Sequence, residues 1–309
     1  MLRDQISEGN FSSVMVFVLG FSELPNLQGL LFGLFFLVYI FILTGNGLII
    51  IITRMDSVLQ TPMYFFLANF SSLEICYVSV TLPRILMNLW TQERSISLLS
   101  YATQMCFFLV QGATEAFLLA VMAYDRYVSI CNPLHYALCV QLAVAAWFSG
   151  IPVQIRQTCQ VFSLPFCDSN QIRHFFCDIP PLIQQACWDT ALNEICVYVV
   201  TVLFAMIPFL LILGSYVQIV STILKMHSAE GRRKVFSTCG SHLTGVSIFH
   251  GTVLFMYVRP NSSYALDHDM IVSVFYTIVI PMLNPIIYSL RNKDVKEAVK
   301  RVFGKKIIC

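Results

Sequence analysis

The long stretches without a charged residue constrain this chain more than any other feature of its sequence. Two windows are each interrupted by a single acid, Glu74 within 57–83 and Glu115 within 95–124. Five further windows contain no Asp, Glu, Lys or Arg at all: 24–53, 127–155, 195–224, 235–258 and 270–290. A membrane-spanning helix needs about 20 mostly apolar residues. The sequence therefore predicts an all-α membrane protein with a seven-transmembrane helix bundle.

Composition supports the membrane assignment. Of the 309 residues, 57% are hydrophobic and 12% are charged, and the mean hydropathy is +0.72. A soluble domain is about 45–50% apolar and about 25% charged. The net charge of +2 gives no reason to expect a nucleic-acid partner. Residues 1–23 lack the compact apolar core of a cleaved signal, so we expect the first helix to start membrane insertion.

The distribution of Lys and Arg predicts the orientation. The side of the membrane that holds the C-terminus carries 13 of the 19 basic residues, including every Lys. Cytoplasmic loops are enriched in Lys and Arg, so we expect a cytoplasmic C-terminus and an extracellular N-terminus at the plasma membrane. We expect an extracellular segment 1–24, a bundle 25–291 and a tail 292–309. Within the bundle, the predicted helices are 27–53, 61–86, 100–126, 141–162, 194–224, 235–258 and 269–290.

Features outside the bundle follow from this orientation. Asn10 opens an Asn-Phe-Ser triplet and is an accessible glycosylation acceptor. The longest external loop, about 163–193, contains three cysteines in an oxidising compartment, where disulfides are plausible. In the tail, Val295 and Val299 share one face opposite Lys and Arg, which predicts a short amphipathic helix along the anionic inner leaflet.

Six short motifs occur in order along the predicted helices. Gly45-Asn46 lies in the first helix and "SY" at 215–216 in the fifth. The other four are "PMYFFLANFSSLEICY" (62–77), "MAYDRYVSICNPLHY" (122–136), "KVFSTCGSHL" (234–243) and "PMLNPIIYSLRN" (281–292). In that order the set resembles the odorant receptors, a large branch of the rhodopsin-like G-protein-coupled receptors. The resemblance covers about residues 10–303. It implies a receptor for a small-molecule odorant that activates a stimulatory G protein and raises cAMP.

The acid-base pair Asp125-Arg126 stands at the predicted cytoplasmic mouth of the bundle. Its charges interact more strongly there because they are partly out of water. The resemblance implies that Asp125 restrains a closed state and that Arg126 meets the G protein once the sixth helix moves outward. Tyr216 and Tyr288 are then expected to reach toward Arg126, and Tyr127 belongs to the same switch. The alternative is that the pair only marks the membrane boundary.

Two acids inside the spans require a separate explanation. A charge at the bilayer centre costs about 2.5–3.5 kcal/mol even on insertion scales. We expect Glu74 and Glu115 to face each other at similar depth and either to hold a proton or to share a cation. The resemblance implies a bound sodium ion there, with Asn46 and Asn284 completing the ligands. The alternative is a neutral, hydrogen-bonded pair that only packs the bundle.

A ligand cavity is expected in the outer half of the bundle, between the third, fifth, sixth and seventh helices. Register from the motifs predicts a mostly apolar lining without an acid, suited to a small volatile ligand and not to an amine. We expect the following residues to line it: Phe108, Leu109, Gly112, Ala113, Thr201, Phe204, His250, Val253, Leu254, Tyr257 and Thr277. His250 stands where the family usually has Tyr, and it is expected either to replace that hydroxyl as a neutral hydrogen-bonding group or to titrate near neutral pH.

The external disulfide pattern departs from the family. The resemblance implies a bond between a Cys at the outer end of the third helix and the middle Cys of the long loop, but Tyr101 stands at the helix position. Cys177 therefore lacks its usual partner, whereas Cys167 and Cys187 can still pair. A free Cys177 raises the hypothesis of a soft metal site formed by His174, Cys177 and Asp178.

The fourth helix also departs from expectation. Arg156 interrupts an apolar run and is expected to extend toward the interface, while Gln154 and Gln157 add polarity. Together with Tyr101 these residues suggest the alternative of a non-signalling or poorly trafficking copy. A transporter or channel would need repeats or a continuous polar path, and neither is present in the sequence. No enzyme motif is present either, so we expect no enzyme activity.

Overall fold

In the structure, a computed structural model, most of the described residues are helical. It describes residues 15–18, 27–91, 95–131, 136–166, 171–172, 178–183, 186, 189–225, 229–257, 274–287 and 293–304. The α-helices are α1 (Gln28–Met55), α2 (Pro62–Thr91), α3 (Leu98–Cys131), α4 (Tyr136–Ser149), α5 (Ile151–Phe162), α6 (Ile179–Ile183), α7 (Ala191–Lys225), α8 (Ala229–Tyr257), α9 (Ile280–Pro285) and α10 (Lys293–Gly304). A 3-10 turn covers Ser57–Leu59, and a π-helix covers Phe275–Val279 directly before α9.

Four of these helices, α1, α2, α3 and α7, are each long and apolar enough to cross a bilayer. Their lipid-facing surface is apolar: in α7, for example, Leu203, Ile207 and Leu210 are about half exposed. The opposite, buried faces carry polar as well as apolar side chains. In α1 the buried stripe includes Ile42, Asn46, Ile49 and Thr53, a helical spacing of three or four residues.

The fourth and seventh predicted spans differ from a single continuous helix. Residues 141–162 were expected to form one helix, but the structure has α4 and α5 separated at Gly150. Gly150 followed by Pro152 explains the break, because Pro lacks the amide donor that a continuous helix needs. Within the predicted span 269–290, the described part is the π-helix followed by α9, where Pro281 and Pro285 disturb the regular hydrogen-bond ladder.

Helix α3 is at the centre of the bundle and packs against α2, α4, α5, α7 and α8. Its cytoplasmic half contributes Leu118, Leu119 and Met122 to the largest buried cluster. Small residues permit the closest helix contacts. A Cβ added at Gly45 of α1 would lie 3.1 Å from the Pro285 Cβ of α9, so this glycine allows the first and last spans to approach closely.

One end of the bundle carries a small sheet that the sequence did not reveal. Strand β1 (Met15–Val18) pairs antiparallel with β2 (Ser95–Ser97) and parallel with β3 (Gln171–Ile172). The register places Met15 opposite Ser97 and Phe17 opposite Gln171. The sheet therefore joins the N-terminal segment, the start of α3 and the long external loop.

The opposite end of the bundle is covered by α10, which packs on the end of α1 and on the 3-10 turn that follows it. Arg301 Nε donates to Asp56 Oδ2 at 2.9 Å, and Tyr64 Oη donates to Asp294 Oδ2 at 3.2 Å. Val295 and Ala298 are buried against the bundle while the basic side chains of α10 are exposed. This is the amphipathic arrangement that the tail sequence predicts.

Candidate functional site

An internal cavity lies between α3, α5, α7 and α8. Its volume is about 90 Å³, which suits a small ligand. Seven of the residues that the sequence predicted for the ligand site meet here: Phe108, Leu109, Gly112, Ala113, Thr201, Phe204 and Val253. The other lining residues are Tyr77, Glu115, Ala116, Gln154, Gln157, Ala205 and Phe249.

Four predicted cavity residues are not among the lining residues. His250 is buried, and its Nδ1 lies 3.1 Å from the carbonyl oxygen of Val246, with its ring packed against Phe209 and Phe249. Leu254 is half-buried, and Thr277 is fully buried in the π-helix. The side chain of Tyr257 lies outside the described residues. Position 250 thus contributes to packing between α7 and α8 beside the cavity.

The expectation of a cavity without an acid is wrong. Glu115 lines the cavity together with Gln154 and Gln157. The two glutamines share the buried face of α5, which the sequence interpretation treated only as unwanted polarity. Their spacing of three residues was the available signal, because it places both side chains on one face of a helix.

A polar cluster lies on the inner side of the cavity. Asn284 Nδ2 donates to Glu74 Oε1, which joins α9 to α2. Glu115 of α3 is close enough to Glu74 for their carboxyl groups to interact electrostatically. Asn46 Nδ2 donates to the Ile42 carbonyl oxygen at 3.1 Å. All four side chains predicted for the ion site are buried, and Glu115 belongs to both the cluster and the cavity wall.

Two oxygens of this cluster have unused acceptor capacity. Asn46 Oδ1 and Glu115 Oε1 are buried and have no hydrogen-bond partner within the part of the chain that the structure describes. A buried acceptor without a donor is costly in a membrane, where water does not compensate for it. Carboxylate and amide oxygens are also ligands that hard cations prefer. The residues present therefore fit a small cation.

The switch residues meet where α3, α7 and α8 pack together. Asp125 and Arg126 are both buried near the end of α3. The Tyr216 hydroxyl of α7 lies 2.9 Å from His242 Nδ1 of α8 and hydrogen bonds to the Arg126 side chain. The sequence predicted the contact between Tyr216 and Arg126 for a state with the sixth helix moved outward, but the structure has it with α8 packed in place.

His242 is the switch residue that sequence reasoning missed. Its ring stacks on the Tyr216 ring with centroids 5.8 Å apart, and its side chain is fully buried. Tyr216 lies in the "SY" motif and His242 in the "KVFSTCGSHL" motif. A polar side chain in each motif was the sequence signal that could have indicated their contact. Tyr127 is half-buried, with its ring centroid 6.3 Å from that of Tyr124, and Tyr288 lies outside the described residues.

The comparisons with known proteins identify the family. A family model described as olfactory receptor matches residues 35–306. Human olfactory receptor 10AG1 is 54% identical over 294 residues, which cover 93% of this chain and 98% of that protein. Mouse olfactory receptor 5T9 is 53% identical over 97% of this chain and 93% of that protein. The chain belongs to the olfactory receptor family.

The fold agrees with this assignment. The crystal structure of squid rhodopsin superposes with a TM-score of 0.64, covering 90% of this chain and 86% of that one, at 16% identity. The olfactory receptor therefore has the rhodopsin-like fold of a seven-helix membrane bundle. It is a multi-pass protein of the plasma membrane and not an enzyme.

In this olfactory receptor Tyr101 anchors the external loop to α3. Its side chain has no exposed surface, and its hydroxyl donates to the Asp178 carbonyl oxygen at 2.8 Å. The same hydroxyl accepts from the Asp178 amide at 3.1 Å, and the ring packs 6.1 Å from that of Phe162. A buried, hydrogen-bonded tyrosine therefore holds the loop at the position where the family resemblance implies a cysteine.

The remaining external predictions fall mostly outside the described residues. These are Asn10, His174, Cys167, Cys177 and Cys187. Phe166 and Ala186, the sequence neighbours of Cys167 and Cys187, form an antiparallel bridge, which brings the two chain segments together. Asp178 is buried, and its Oδ1 accepts from the Ile179 amide. Among the described residues no cluster of three metal-ligating side chains occurs.

Proposed function

We propose that this olfactory receptor binds a small, mostly apolar volatile in the cavity between α3, α5, α7 and α8. Binding then activates a stimulatory G protein on the cytoplasmic side and raises cAMP. The N-terminus is extracellular and the C-terminus cytoplasmic, which places α10 and the Arg126 cluster on the side of the G protein.

The supporting observation is that three helices carry both the cavity wall and the switch. On α7, Ala205 lines the cavity and Tyr216 lies three turns further along the same face. On α8, Phe249 lines the cavity and His242 lies two turns earlier. A ligand that changes the packing of one end of these helices therefore changes the contacts at the other end.

The ligand acts by selecting between two packings. A ligand shifts such an equilibrium only as far as its affinities for the two states differ. One packing keeps Tyr216 bound to His242 and Arg126, as in the structure. The other moves α8 away, separates His242 from Tyr216 and opens Arg126 to the G protein.

The test uses cells that lack the stimulatory G protein and carry a cAMP reporter. A panel of volatiles is applied to surface-stained cells with and without the G protein restored. We expect odorant-evoked cAMP only after restoration. An odorant-evoked current without the G protein supports a channel instead, and no response from well-delivered receptor contradicts the proposal.

The alternative is a defective copy that reaches the plasma membrane poorly. In the sequence, Tyr101 and Arg156 are the residues that suggest such a defect. Tyr101 makes two hydrogen bonds in a buried site. Arg156 is exposed on the outer face of α5, where its charge can extend to the interface. Neither residue leaves an uncompensated defect in the bundle, which favours a working receptor.

We also propose that Asn46, Glu74, Glu115 and Asn284 hold a sodium ion. The ion would neutralise the two acids and occupy the unused acceptors of Asn46 and Glu115. Ligand binding to the folded state alone stabilises it by about 1.4 kcal/mol for each tenfold rise in concentration above Kd. The thermal midpoint of purified receptor is therefore expected to rise with sodium chloride and not with choline chloride. Glu115→Gln should abolish that difference, and an unchanged difference would contradict the site.

A further inference from the structure

The buried face of α5 is polar, whereas its lipid-facing surface is mainly apolar. Gln154, Gln157 and Thr158 are buried with Val161, while Pro152 and Ile155 are exposed. This inverts the pattern of a soluble protein helix. Polar side chains inside a membrane bundle are expensive and mark functional positions.

Close packing at Gly150 brings this polar face against α3. A Cβ added at Gly150 would lie 2.8 Å from the Ala113 Cβ, which is closer than such atoms approach, so only glycine fits. Gln154 follows one turn later and Gln157 one turn after that, on the same face. The two amides therefore face the cavity that Ala113 also lines.

Gln154 has an unused acceptor in a side chain that lines this cavity. Its side chain is 5% exposed, and its Oε1 has no hydrogen-bond partner among the described residues. Thr158 does not fill this role, because its hydroxyl donates to the Gln154 main-chain carbonyl at 2.8 Å. The amide oxygen is thus left unpaired beside the cavity.

The lining of the cavity is more polar on α5 than on α7 and α8, where Thr201 is the one polar residue among the described lining residues. Gln154, Gln157 and Glu115 contribute polar groups from α5 and α3. Phe204 and Phe249 contribute apolar surface from α7 and α8. A ligand that fills this space best therefore carries a polar group at one end and an apolar body at the other.

We infer that Gln154 determines specificity by accepting a hydrogen bond from an O–H or N–H group of the ligand. This inference rests on the proposed function and deepens it. The preferred odorants are small molecules with one hydrogen-bond donor and a short hydrocarbon body, such as aliphatic alcohols. An ether of the same size has no donor and leaves the Gln154 oxygen unpaired. Leaving a buried acceptor unpaired gives stronger discrimination than a difference in hydrocarbon shape alone.

The experiment compares isomers that differ only in the donor. Heptan-1-ol and hexyl methyl ether have the same formula, and the panel consists of such pairs with five to ten carbons. Potency is measured as cAMP response at matched surface density. We expect the alcohols to be about threefold to tenfold more potent than their ethers, which is the range of one hydrogen bond.

Gln154→Leu supplies the decisive variant and Gln218→Leu its control. Leucine has similar volume and no acceptor, so alcohol potency should fall to that of the ethers while ether potency stays unchanged. Gln218 is exposed on α7 and lines no part of the cavity, so its substitution should leave both potencies unchanged. The melting temperature of unliganded Gln154→Leu should equal or exceed that of the wild type, because an unpaired buried acceptor is removed.

Several outcomes overturn the inference while leaving the odorant receptor intact. The first is equal potency of alcohols and ethers on the wild type. The second is an equal loss of alcohol potency and ether potency in Gln154→Leu. The third is a melting temperature of that variant below that of the wild type. A preference for hexylamine that survives Gln154→Leu and disappears in Glu115→Gln assigns the contact to Glu115 instead. Silence of well-delivered wild type to every alcohol and ether contradicts the proposed function itself, and the inference with it.

Discussion

At the scale of single residues, the buried acids of the bundle lie close together: Asn284 donates to Glu74, and Glu74 interacts electrostatically with Glu115. The sequence placed these residues and Asn46 in one polar site, and all four are buried. The motifs that carry the family resemblance fix the register of the helices. That register predicts which residues of different helices lie close together. His250 was assigned to the cavity because a motif aligned it there, but the detailed side-chain packing that turns it toward Val246 has no sequence signal.

The hydrogen bonds between Tyr101 and the Asp178 main chain can be tested by removing the hydroxyl. Tyr101→Phe keeps the ring packing and removes both hydrogen bonds to Asp178, so it should destabilise the receptor by about 1–3 kcal/mol. The measurement is the thermal midpoint of purified receptor, with hydrogen exchange of residues 178–183 as a local readout. Exchange there should rise in the variant because the loop anchor is lost.

The control for this experiment is Tyr198→Phe. Tyr198 is exposed on α7, so the same loss of a hydroxyl should have little effect. If the Tyr101→Phe variant has the hydrogen exchange and the thermal midpoint of the wild type, then the hydroxyl does not hold the loop. The packing of the ring alone would then explain the position.

At the scale of elements, charge-free windows were sufficient to locate the helices but not their interruptions. The structure has α1 at Gln28–Met55 where the sequence indicated 27–53. Hydropathy does not reveal the break at Gly150, because all residues around it are apolar or small. The external sheet is equally hidden, since β1, β2 and β3 are short and pair residues far apart in sequence.

The close packing between α3 and α5 at Gly150 can be tested by adding a methyl group there. Gly150→Ala places a methyl group 2.8 Å from the Ala113 Cβ. Overpacking of this kind costs about 1–3 kcal/mol. The thermal midpoint should therefore fall, and odorant potency should fall with it because α5 carries one wall of the cavity.

A double substitution separates this clash from other effects of alanine. Ala113→Gly removes the opposing methyl group, so Gly150→Ala combined with Ala113→Gly should recover stability relative to Gly150→Ala alone. Gly214→Ala is the control, because an added Cβ there meets no atom within 4 Å. If stability does not recover in the double variant, then the contact between positions 150 and 113 is not what destabilises Gly150→Ala.

At the scale of the whole molecule, the account depends on a connection between two sites on the same helices. The cavity occupies one region of α3, α7 and α8, and the cluster of Arg126, Tyr216 and His242 occupies another. The sequence predicted both regions through the family resemblance. It did not predict that α8 contributes His242 to the cluster, because that contact depends on how α7 and α8 pack.

Substitution of Arg126 in receptor of matched surface density is the decisive measurement for the proposed switch. Arg126→Gln removes the charge proposed to engage the G protein, and Arg54→Gln at the exposed C-terminal end of α1 is the control. We expect odorant-evoked cAMP to fall by about tenfold or more in Arg126→Gln, equivalent to about 1.4 kcal/mol, and to persist in Arg54→Gln. A full-strength response from delivered Arg126→Gln would contradict this role of Arg126.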